Sequence, residues 1–341
     1  MGWRGAQMVY EPSAEYNRNR QAMSWTHRVK TLLFGSPTAP DEVETVRKAA
    51  AKPLENTGTV TLVTSGSDDL VSARWRTGYR VVRELGEGGM GKVMLAERQS
   101  DGLPVCLKLL HADTDRATGE QECRALMRLR HPAIVALIDF SLQDSAPWLM
   151  TEFAPGQTLR RFLKERGMLD RETALGLLKT LFTALEYAHS RAVIHRDLKP
   201  ENVMVDASVD PPAVRVLDFG IAIVDRVDHG GRITARDALP MGTVRYMAPE
   251  QFRGELLTPA CDVYALGLIA WEMLSGRELF TGKKPHEMMF EKITRAGGYT
   301  LQDSSSAPAV EALNRLVEAC TRPDPAARIA ASAALEIISG M

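Results

Sequence analysis

The order of the periodic segments along this chain is the feature that most constrains its fold. Strand-type runs separated by turn residues come first, and helical spacing of apolar residues dominates after about Leu159. The predicted strands are Tyr79 to Leu85, Val93 to Glu97, Val105 to Leu110, Val135 to Leu142 and Trp148 to Phe153. One helical stretch lies between the third and the fourth. A sheet followed by helices indicates an α+β fold with two unequal lobes, a small β-rich one and a larger helical one.

A compositional boundary near residue 75 divides the chain. Residues 1–75 mix two short helix-like stretches with hydroxyl-rich linker, and they predict a partly helical N-terminal extension. Residues 76–340 predict one domain, whose smaller lobe covers about 76–153 and whose larger lobe covers about 154–340. In the extension, the stretch from Trp25 to Leu33 has an apolar face beside several basic residues. It predicts a helix that docks on its own domain or binds a membrane surface or partner.

Charge and cysteine usage limit the classes of partner. The 42 basic and 43 acidic side chains leave a formal net charge of −1, so we expect no nucleic-acid partner. The four cysteines lack the close spacing of a metal knuckle or a redox dithiol, which indicates a reducing cytoplasm. We expect no transmembrane segment, because the most apolar stretch, Val263 to Leu274, is interrupted by Gly267 and Glu272. That stretch predicts a buried helix.

Glycines are concentrated between the first two predicted strands, in the run from Gly86 to Val93. Without side chains, a hairpin backbone can close over phosphates and present its amides to their oxygens. A plain turn is the simpler alternative for such a run. A dinucleotide-binding loop would require a helix to follow, whereas this chain continues as a strand from Lys92 to Glu97.

A lysine, Lys108, stands within the third predicted strand. A lone strand lysine ordinarily extends from an edge toward water. In the following helix, however, Glu122, Leu126 and Leu129 have spacings of four and three, which puts the carboxylate on the face that packs toward the sheet. We therefore predict that Glu122 pairs with Lys108 and orients its ammonium toward phosphate oxygens. Glu120 is the rival partner, but its spacing puts it on another face.

The run from His195 to Asn202 carries the most specific chemistry. Within six residues it supplies Asp197 to accept a hydroxyl proton, Lys199 to neutralise a migrating phosphoryl group and Asn202 to offer Mg²⁺ an amide oxygen. A solvated charged loop is the alternative. It does not explain why Asp218, a hard oxygen ligand for nucleotide-bound Mg²⁺, follows sixteen residues after Asn202 and just past another strand-type run.

Taken in order, these motifs resemble the eukaryotic-type protein kinase family over roughly residues 79–338. The resemblance extends to the run from Gly242 to Glu250 and to the run from Asp262 to Gly267. It also includes Arg328, which stands at the position of the arginine that, in the family, pairs with the glutamate equivalent to Glu250. It implies a bilobal protein kinase fold with the site in the cleft between the lobes.

The resemblance also implies a role for each motif residue. Gly86, Gly88 and Gly91 would cover the phosphates, and Lys108, paired with Glu122, would contact the α- and β-phosphates of ATP. Asn202 and Asp218 would hold two Mg²⁺ ions, with Mn²⁺ able to substitute, while Asp197 would act as base and Lys199 would stabilise the transferred group. The expected adenine contacts are Val93 and Cys106 above the ring, Met204 below it, Glu152 and Ala154 at the hinge, and a small gatekeeper, Thr151.

Substrate class and regulation follow from the same resemblance. Lys199 together with Thr243 is similar to the serine/threonine branch, which implies protein substrates with serine or threonine acceptors. Sugar and antibiotic phosphotransferases share the chemistry, but the Glu250 and Arg328 pair belongs to a polypeptide-docking segment. Thr234 is the one hydroxyl side chain between Gly220 and Gly242. We predict its autophosphorylation, with the phosphate pairing with Arg196.

Three alternatives stay open from the sequence. A pseudokinase would keep the fold as an interaction platform, although Lys108, Asp197, Asn202 and Asp218 are all present. Cys106 is either a small buried side chain or a thiol that electrophiles use to block ATP binding. The hydroxyl side chains from Thr57 to Ser67 are either flexible linker or autophosphorylation sites that a phosphothreonine-reading partner recognises.

Overall fold

The computed structural model of the protein describes residues 74–88, 91–111, 116–142, 147–219, 241–301 and 308–341. The expectations for the N-terminal extension and for Thr234 therefore lie outside the described residues. Among the helices of the described ranges, none is both long and apolar enough to cross a membrane.

A five-stranded antiparallel sheet forms the smaller lobe, with strand order β1-β2-β3-β5-β4. Its strands are β1 (Tyr79–Gly88), β2 (Gly91–Arg98), β3 (Pro104–Leu110), β4 (Leu137–Ser141) and β5 (Trp148–Glu152), and helix α1 (Arg116–Arg128) lies between β3 and β4 in sequence. Strand β4 starts two residues later than the apolar run predicts. The reason is that the Val135 N–H donates to the Val216 carbonyl, 3.1 Å away in the larger lobe.

The larger lobe is helical and carries a small three-stranded sheet at the cleft. Its helices are α2 (Leu159–Arg166), α3 (Arg171–His189), α4 (Met241–Tyr246), α5 (Pro249–Arg253), α6 (Ala260–Ser275), α7 (Pro285–Thr294), α8 (Pro308–Cys320) and α9 (Ala331–Ser339). The small sheet consists of β6 (Gln157–Thr158), β7 (Val203–Asp206) and β8 (Ala213–Val216), with β7 in the middle. The catalytic-type run from His195 to Asn202 immediately precedes β7.

Helix α6 forms the centre of the larger lobe. Every residue from Cys261 to Met273 is buried, which confirms the buried helix expected there. Helices α3 and α8 pack against it. Gly267 permits the close approach of α8, since an added Cβ would lie 2.6 Å from the Cys320 Cβ. This helix supplies a rigid base for the site because packed interiors resist displacement.

The two lobes have largely separate hydrophobic cores. One core of the smaller lobe, which includes Trp75, Leu107 and Trp148, packs on the sheet, whereas the large core surrounds α3 and α6. Helix α1 connects the lobes, because Leu126 and Leu129 join the large core. An antiparallel sheet joined to a helical lobe confirms the predicted α+β bilobal architecture.

Candidate active site

The β1–β2 hairpin contains the three glycines of the predicted phosphate loop. Gly86 pairs with Val93 and Gly88 pairs with Gly91. At Gly91, φ is 151° and an added Cβ would lie 1.9 Å from the Leu109 carbonyl oxygen, so the fold itself requires glycine. At Gly86 and Gly88 an added Cβ would meet no atom of the described residues within 4 Å. Packing within this part of the chain therefore gives no reason for glycine at these two positions, whereas a ligand lying against the hairpin would.

Lys108 joins carboxylates from both lobes. Its Nζ lies 3.1 and 3.2 Å from the two carboxylate oxygens of Glu122 on α1, and 3.3 Å from Oδ1 of Asp218 in the larger lobe. Glu122 is only 3% exposed, on the same buried face as Leu126. The rival, Glu120, instead accepts a hydrogen bond from Arg124. The helical spacing thus identified the glutamate that meets the lysine.

The Lys108 ammonium stays charged because of its carboxylate neighbours. Burial by itself would lower the pKa of Lys108, but the negative charges of Asp218 and Glu122 outweigh burial and raise the pKa above its usual value. The ammonium is therefore charged at neutral pH. Burial is also the largest influence on Glu122 and raises the pKa of its carboxyl, while the ammonium of Lys108 acts in the opposite direction.

Asp262 on α6 holds the start of the catalytic-type loop. Its carboxylate accepts hydrogen bonds from the backbone N–H groups of His195 and Arg196 and from Nε2 of His189, each at 2.8 Å. Burial by itself would raise the pKa of Asp262, but the hydrogen bonds from His189 and from the His195 backbone N–H outweigh burial and lower that pKa. Sequence reasoning included Asp262 in a helix motif only. Its hold on a loop 67 positions away had no local signal.

The three predicted catalytic-type side chains of the loop lie close together in the structure: Asp197, Lys199 and Asn202. Lys199 Nζ lies 2.7 Å from Oδ2 of Asp197 and 3.0 Å from the hydroxyl of Thr243. Nδ2 of Asn202 donates to the Asp197 carbonyl oxygen at 2.8 Å. Because the amide nitrogen of Asn202 makes this hydrogen bond, the amide oxygen is the atom of this side chain that can bind a metal ion.

Asp218 completes the candidate metal ligands. It has a left-handed backbone with φ of 51°, and the buried ring of Phe219 follows, packed 4.7 Å from the His195 ring. A carboxylate and an amide oxygen are hard ligands of the type that Mg²⁺ prefers, with phosphate oxygens and water as the rest. Two such protein ligands fit a nucleotide-bound Mg²⁺, which usually keeps water and phosphate oxygens in its other positions.

The predicted adenine contacts share one face of the sheet. Val93 pairs with Lys108, and Cys106 pairs with Thr151, so their side chains lie on the face that carries Lys108. Burial is the largest influence on Cys106 and raises its pKa to about 11, which favours the small protonated side chain over a reactive thiolate.

The other hinge and floor positions follow the chain where it leaves β5. Glu152 ends β5 and forms an ion pair with Arg215 of β8 at 3.2 Å, and Ala154 is buried just beyond it. Met204 lies on β7 in the larger lobe and is half-buried. Sequence reasoning did not find the Arg215 contact.

The segment that contains Glu250 is anchored by a buried ion pair. Two guanidinium nitrogens of Arg328 donate to the two carboxylate oxygens of Glu250, at 2.5 and 2.7 Å. Arg196, the residue expected to pair with a phosphate on Thr234, has a left-handed backbone with φ of 68°, and its Nε is buried without a hydrogen-bond partner among the described residues.

One cluster beside the catalytic loop was missed by sequence reasoning. Arg160 on α2 donates to Glu201 at 2.8 Å and also contacts Glu272 and Tyr246. The residues come from four separate segments, so no spacing in the sequence relates them.

Comparison with known proteins assigns this geometry to a family. A family model described as "Protein kinase domain" matches residues 79–337, which is more than half of the chain. Among curated proteins, the chain is 34% identical to serine/threonine-protein kinase pkn3 of Myxococcus xanthus over 281 residues, covering 80% of this chain and 51% of the relative. It is 28% identical to serine/threonine-protein kinase PrkC of Bacillus subtilis over 264 residues, covering 75% of this chain and 39% of the relative. The chain thus spans about half the length of these relatives or less.

Proposed function

The chain belongs to the protein kinase family, and from this premise we propose that it is a serine/threonine protein kinase that transfers the γ-phosphoryl group of ATP to protein hydroxyls. One observation carries the proposal. Lys108 lies within 3.3 Å of both Glu122 and Asp218, which come from different lobes and from positions 14 and 110 residues away. An interaction platform that binds no nucleotide would have no need of this charged arrangement in its cleft.

On the nucleotide side, Lys108 contacts the α- and β-phosphates, and Glu122 holds its ammonium in place. Gly86, Gly88 and Gly91 let the hairpin backbone lie close over the phosphates. Asn202 and Asp218 would hold Mg²⁺, or Mn²⁺ in its place, through an amide and a carboxylate oxygen. Such an ion would supply positive charge against the phosphates during transfer.

On the acceptor side, the carboxylate of Asp197 accepts the proton of the substrate hydroxyl. The hydroxyl oxygen forms a bond to the γ-phosphorus, and the bond from that phosphorus to the bridging oxygen breaks, which releases ADP. The Lys199 ammonium, 2.7 Å from Asp197, lies where it can stabilise the transferred phosphoryl group. Catalysis by these residues is mainly positioning and charge stabilisation.

The substrate is proposed to be a protein, and the compartment is proposed to be the cytoplasm. Support for a polypeptide acceptor comes from the Glu250 and Arg328 ion pair and from the contact of Thr243 with Lys199, 3.0 Å apart. Support for a reducing compartment comes from Cys106, Cys123, Cys261 and Cys320, which are all free.

Regulation is proposed to involve autophosphorylation at Thr234, a residue outside the described ranges. Support comes from Arg232 and Arg236 beside it in the sequence and from the unpartnered buried Nε of Arg196 among the described residues. We also propose that phosphorylated hydroxyls between Thr57 and Ser67 recruit a phosphothreonine-reading partner. Mass spectrometry of the purified protein before and after phosphatase treatment tests both sites.

The central experiment measures transfer from labelled ATP to a generic protein acceptor in the presence of Mg²⁺. We expect transfer by the wild-type chain, a loss of at least about 10²-fold for Asp197→Ala, the scale of a removed general base, and a comparable loss for Asp218→Ala. Asp206→Ala serves as the matched control, since Asp206 is a half-buried aspartate at the end of β7 whose carboxylate accepts hydrogen bonds from the N–H and hydroxyl of Ser208. No transfer by the wild-type chain, or equal transfer by Asp218→Ala, would instead favour the pseudokinase platform.

A further inference from the structure

A completely buried lysine lies in the larger lobe, outside the cluster that would hold ATP. Lys292 of α7 is 0% exposed. Its Nζ donates to the main-chain carbonyl oxygens of Val244, Arg245 and Met247, at 3.1, 2.6 and 2.8 Å. A lysine buried this deeply is rare unless its charge is compensated, because desolvation of the ammonium is costly.

The number of acceptors indicates that Lys292 is an ammonium. An ammonium has three N–H donors, and here three carbonyl oxygens lie within hydrogen-bond distance. A neutral amine would turn its lone pair toward one of these oxygens. The aromatic rings of Phe280, Tyr264 and Phe252 also surround the nitrogen, with centroids 4.8, 5.5 and 5.7 Å away. Ring faces at this distance attract a cation.

Desolvation opposes this arrangement. Burial lowers the pKa of Lys292 well below its usual range, and neighbouring Glu291 acts in the opposite direction. The carbonyl dipoles and aromatic rings are therefore needed to keep the side chain in place. A methionine would fill a similar volume without that cost, so the feature that distinguishes lysine at this position is its hydrogen bonds to the three carbonyl groups.

These carbonyl groups belong to the segment beside the catalytic loop. Immediately before them, Thr243 accepts a hydrogen bond from Lys199, which contacts Asp197. Immediately after them, Glu250 is fixed by Arg328. The ends of the segment are thus tied to the proposed catalytic residues and to the lobe, and Lys292 is the tie in the middle.

We propose that Lys292 is a positioning residue for phosphoryl transfer: its ammonium fixes residues 244–247 and thereby keeps Thr243 against Lys199. This inference rests on the proposed kinase function and concerns the acceptor side of the site. Lys292 would position the acceptor side only. The nucleotide side is built on other residues, Lys108, Glu122 and Asp218.

The test compares Lys292→Met, which removes all donors, with Lys292→Gln, which keeps two N–H donors. For Lys292→Met we expect kcat with a protein acceptor to fall by about 10- to 100-fold, the scale of a misplaced reacting group. We expect the KM for ATP to change by less than about twofold, because no nucleotide contact is removed. Lys292→Gln is expected to recover part of the lost rate.

Two further measurements separate positioning from general loss of structure. Met288→Ala removes a buried side chain from the same helix but takes away no hydrogen-bond donor to the three carbonyl groups, and it should leave kcat near wild type at temperatures where it stays folded. Hydrogen exchange of Lys292→Met should accelerate at the amides of residues 243–251 and stay unchanged in β1 to β5.

The outcomes decide as follows. Unchanged kcat and exchange in Lys292→Met would overturn the inference. So would a parallel loss of ATP affinity or exchange that accelerates throughout the larger lobe. If the wild-type chain transferred no phosphate, the kinase function itself would fail, and the exchange measurement alone would decide whether Lys292 fixes the segment.

Discussion

Two glutamates on α1 show how the surroundings of a residue decide its role. Glu122 is buried against Lys108, whereas Glu120, two positions earlier, pairs with Arg124 at the surface. The helical period separated them correctly, since Glu122 shares a face with Leu126 and Leu129. What the period could not supply is the third partner, Asp218, because it lies 110 positions from the lysine.

This pair of glutamates gives a matched test. In Glu122→Gln the Lys108 ammonium loses one of its two carboxylates, and we expect kcat/KM for ATP to fall by roughly 10- to 100-fold through misplacement of the ammonium. In Glu120→Gln only an exposed ion pair is lost, and we expect a change of less than about twofold. Steady-state kinetics of both variants check the prediction, and equal effects of the two substitutions would contradict it.

Cys106 gives a prediction with a defined pH dependence. Its pKa is raised to about 11, chiefly by burial and then by the negative charge of Asp218. A raised pKa means that the thiol is protonated at neutral pH, with less than about 0.1% thiolate at pH 7.5. We expect alkylation of Cys106 by iodoacetamide to be negligible at pH 7.5 and to rise about tenfold per pH unit toward pH 10.

Peptide mapping by mass spectrometry reads the label at Cys106 separately from the three other cysteines. The denatured chain serves as the reference, because its thiols have ordinary pKa values near 8.5. Rapid labelling of the folded protein at pH 7.5 that ATP prevents would support the reactive-thiol alternative instead.

At the scale of elements, the sequence predicted the five strands of the larger sheet, the helix between the third and the fourth of them, and the buried helix α6, and it was least accurate at the ends of the strands. Apolar runs predict which residues are buried. They do not show whether a buried residue is hydrogen-bonded to a neighbouring strand of the sheet or is buried in another way. Val135 is the example: it is apolar and buried, yet its N–H pairs with the larger lobe and β4 begins at Leu137. The start of α3 has a local cause that the apolar pattern does not contain, since Asp170 caps this helix by accepting from the Thr173 N–H at 2.9 Å.

Two substitutions in the β1–β2 hairpin can distinguish a glycine that the fold requires from a glycine that the bound ligand requires. In Gly91→Ala the new Cβ would collide with the Leu109 carbonyl oxygen at a φ of 151°, and we expect a loss of roughly 1–3 kcal/mol in unfolding free energy. In Gly86→Ala the Cβ meets no atom within 4 Å, so stability should change by less than about 0.5 kcal/mol.

The substitution that leaves stability unchanged is expected to affect nucleotide binding. We expect Gly86→Ala to raise the KM for ATP severalfold, because the methyl group occupies space that the proposed triphosphate needs. Denaturant unfolding and steady-state kinetics measure the two effects. A stable Gly86→Ala variant with wild-type kinetics would contradict the proposed role of this glycine.

At the scale of the whole molecule, the contacts that assemble the site connect distant parts of the chain. Asp262 holds the catalytic loop, Lys292 holds residues 244–247, and Arg160 joins α2 to Glu201. No local pattern encodes such pairs, because each depends on how the helices pack. The residues that carry proposed chemistry could be named from motifs, whereas the residues that position them required the fold.

The pair of Arg328 and Glu250 provides the prediction at this scale. Their side chains are 0% and 1% exposed, and they join the start of α5 to the chain just before α9. In Arg328→Met a buried carboxylate loses its partner, and we expect a loss of about 3–5 kcal/mol in unfolding free energy. Removing both charges in Arg328→Met with Glu250→Gln should cost less than the sum of the single changes, since no unpaired charge stays buried.

The exposed pair of Arg80 and Glu97 is the matched control, with side-chain exposures of 68% and 37%. Arg80→Met should change the unfolding free energy by less than about 1 kcal/mol, because water already solvates both charges. Chemical denaturation of the single and double variants gives the coupling energy of each pair. Additive losses for the buried pair would contradict the prediction. They would mean that the segment around Glu250 is held by its main-chain contacts and not by the paired charges.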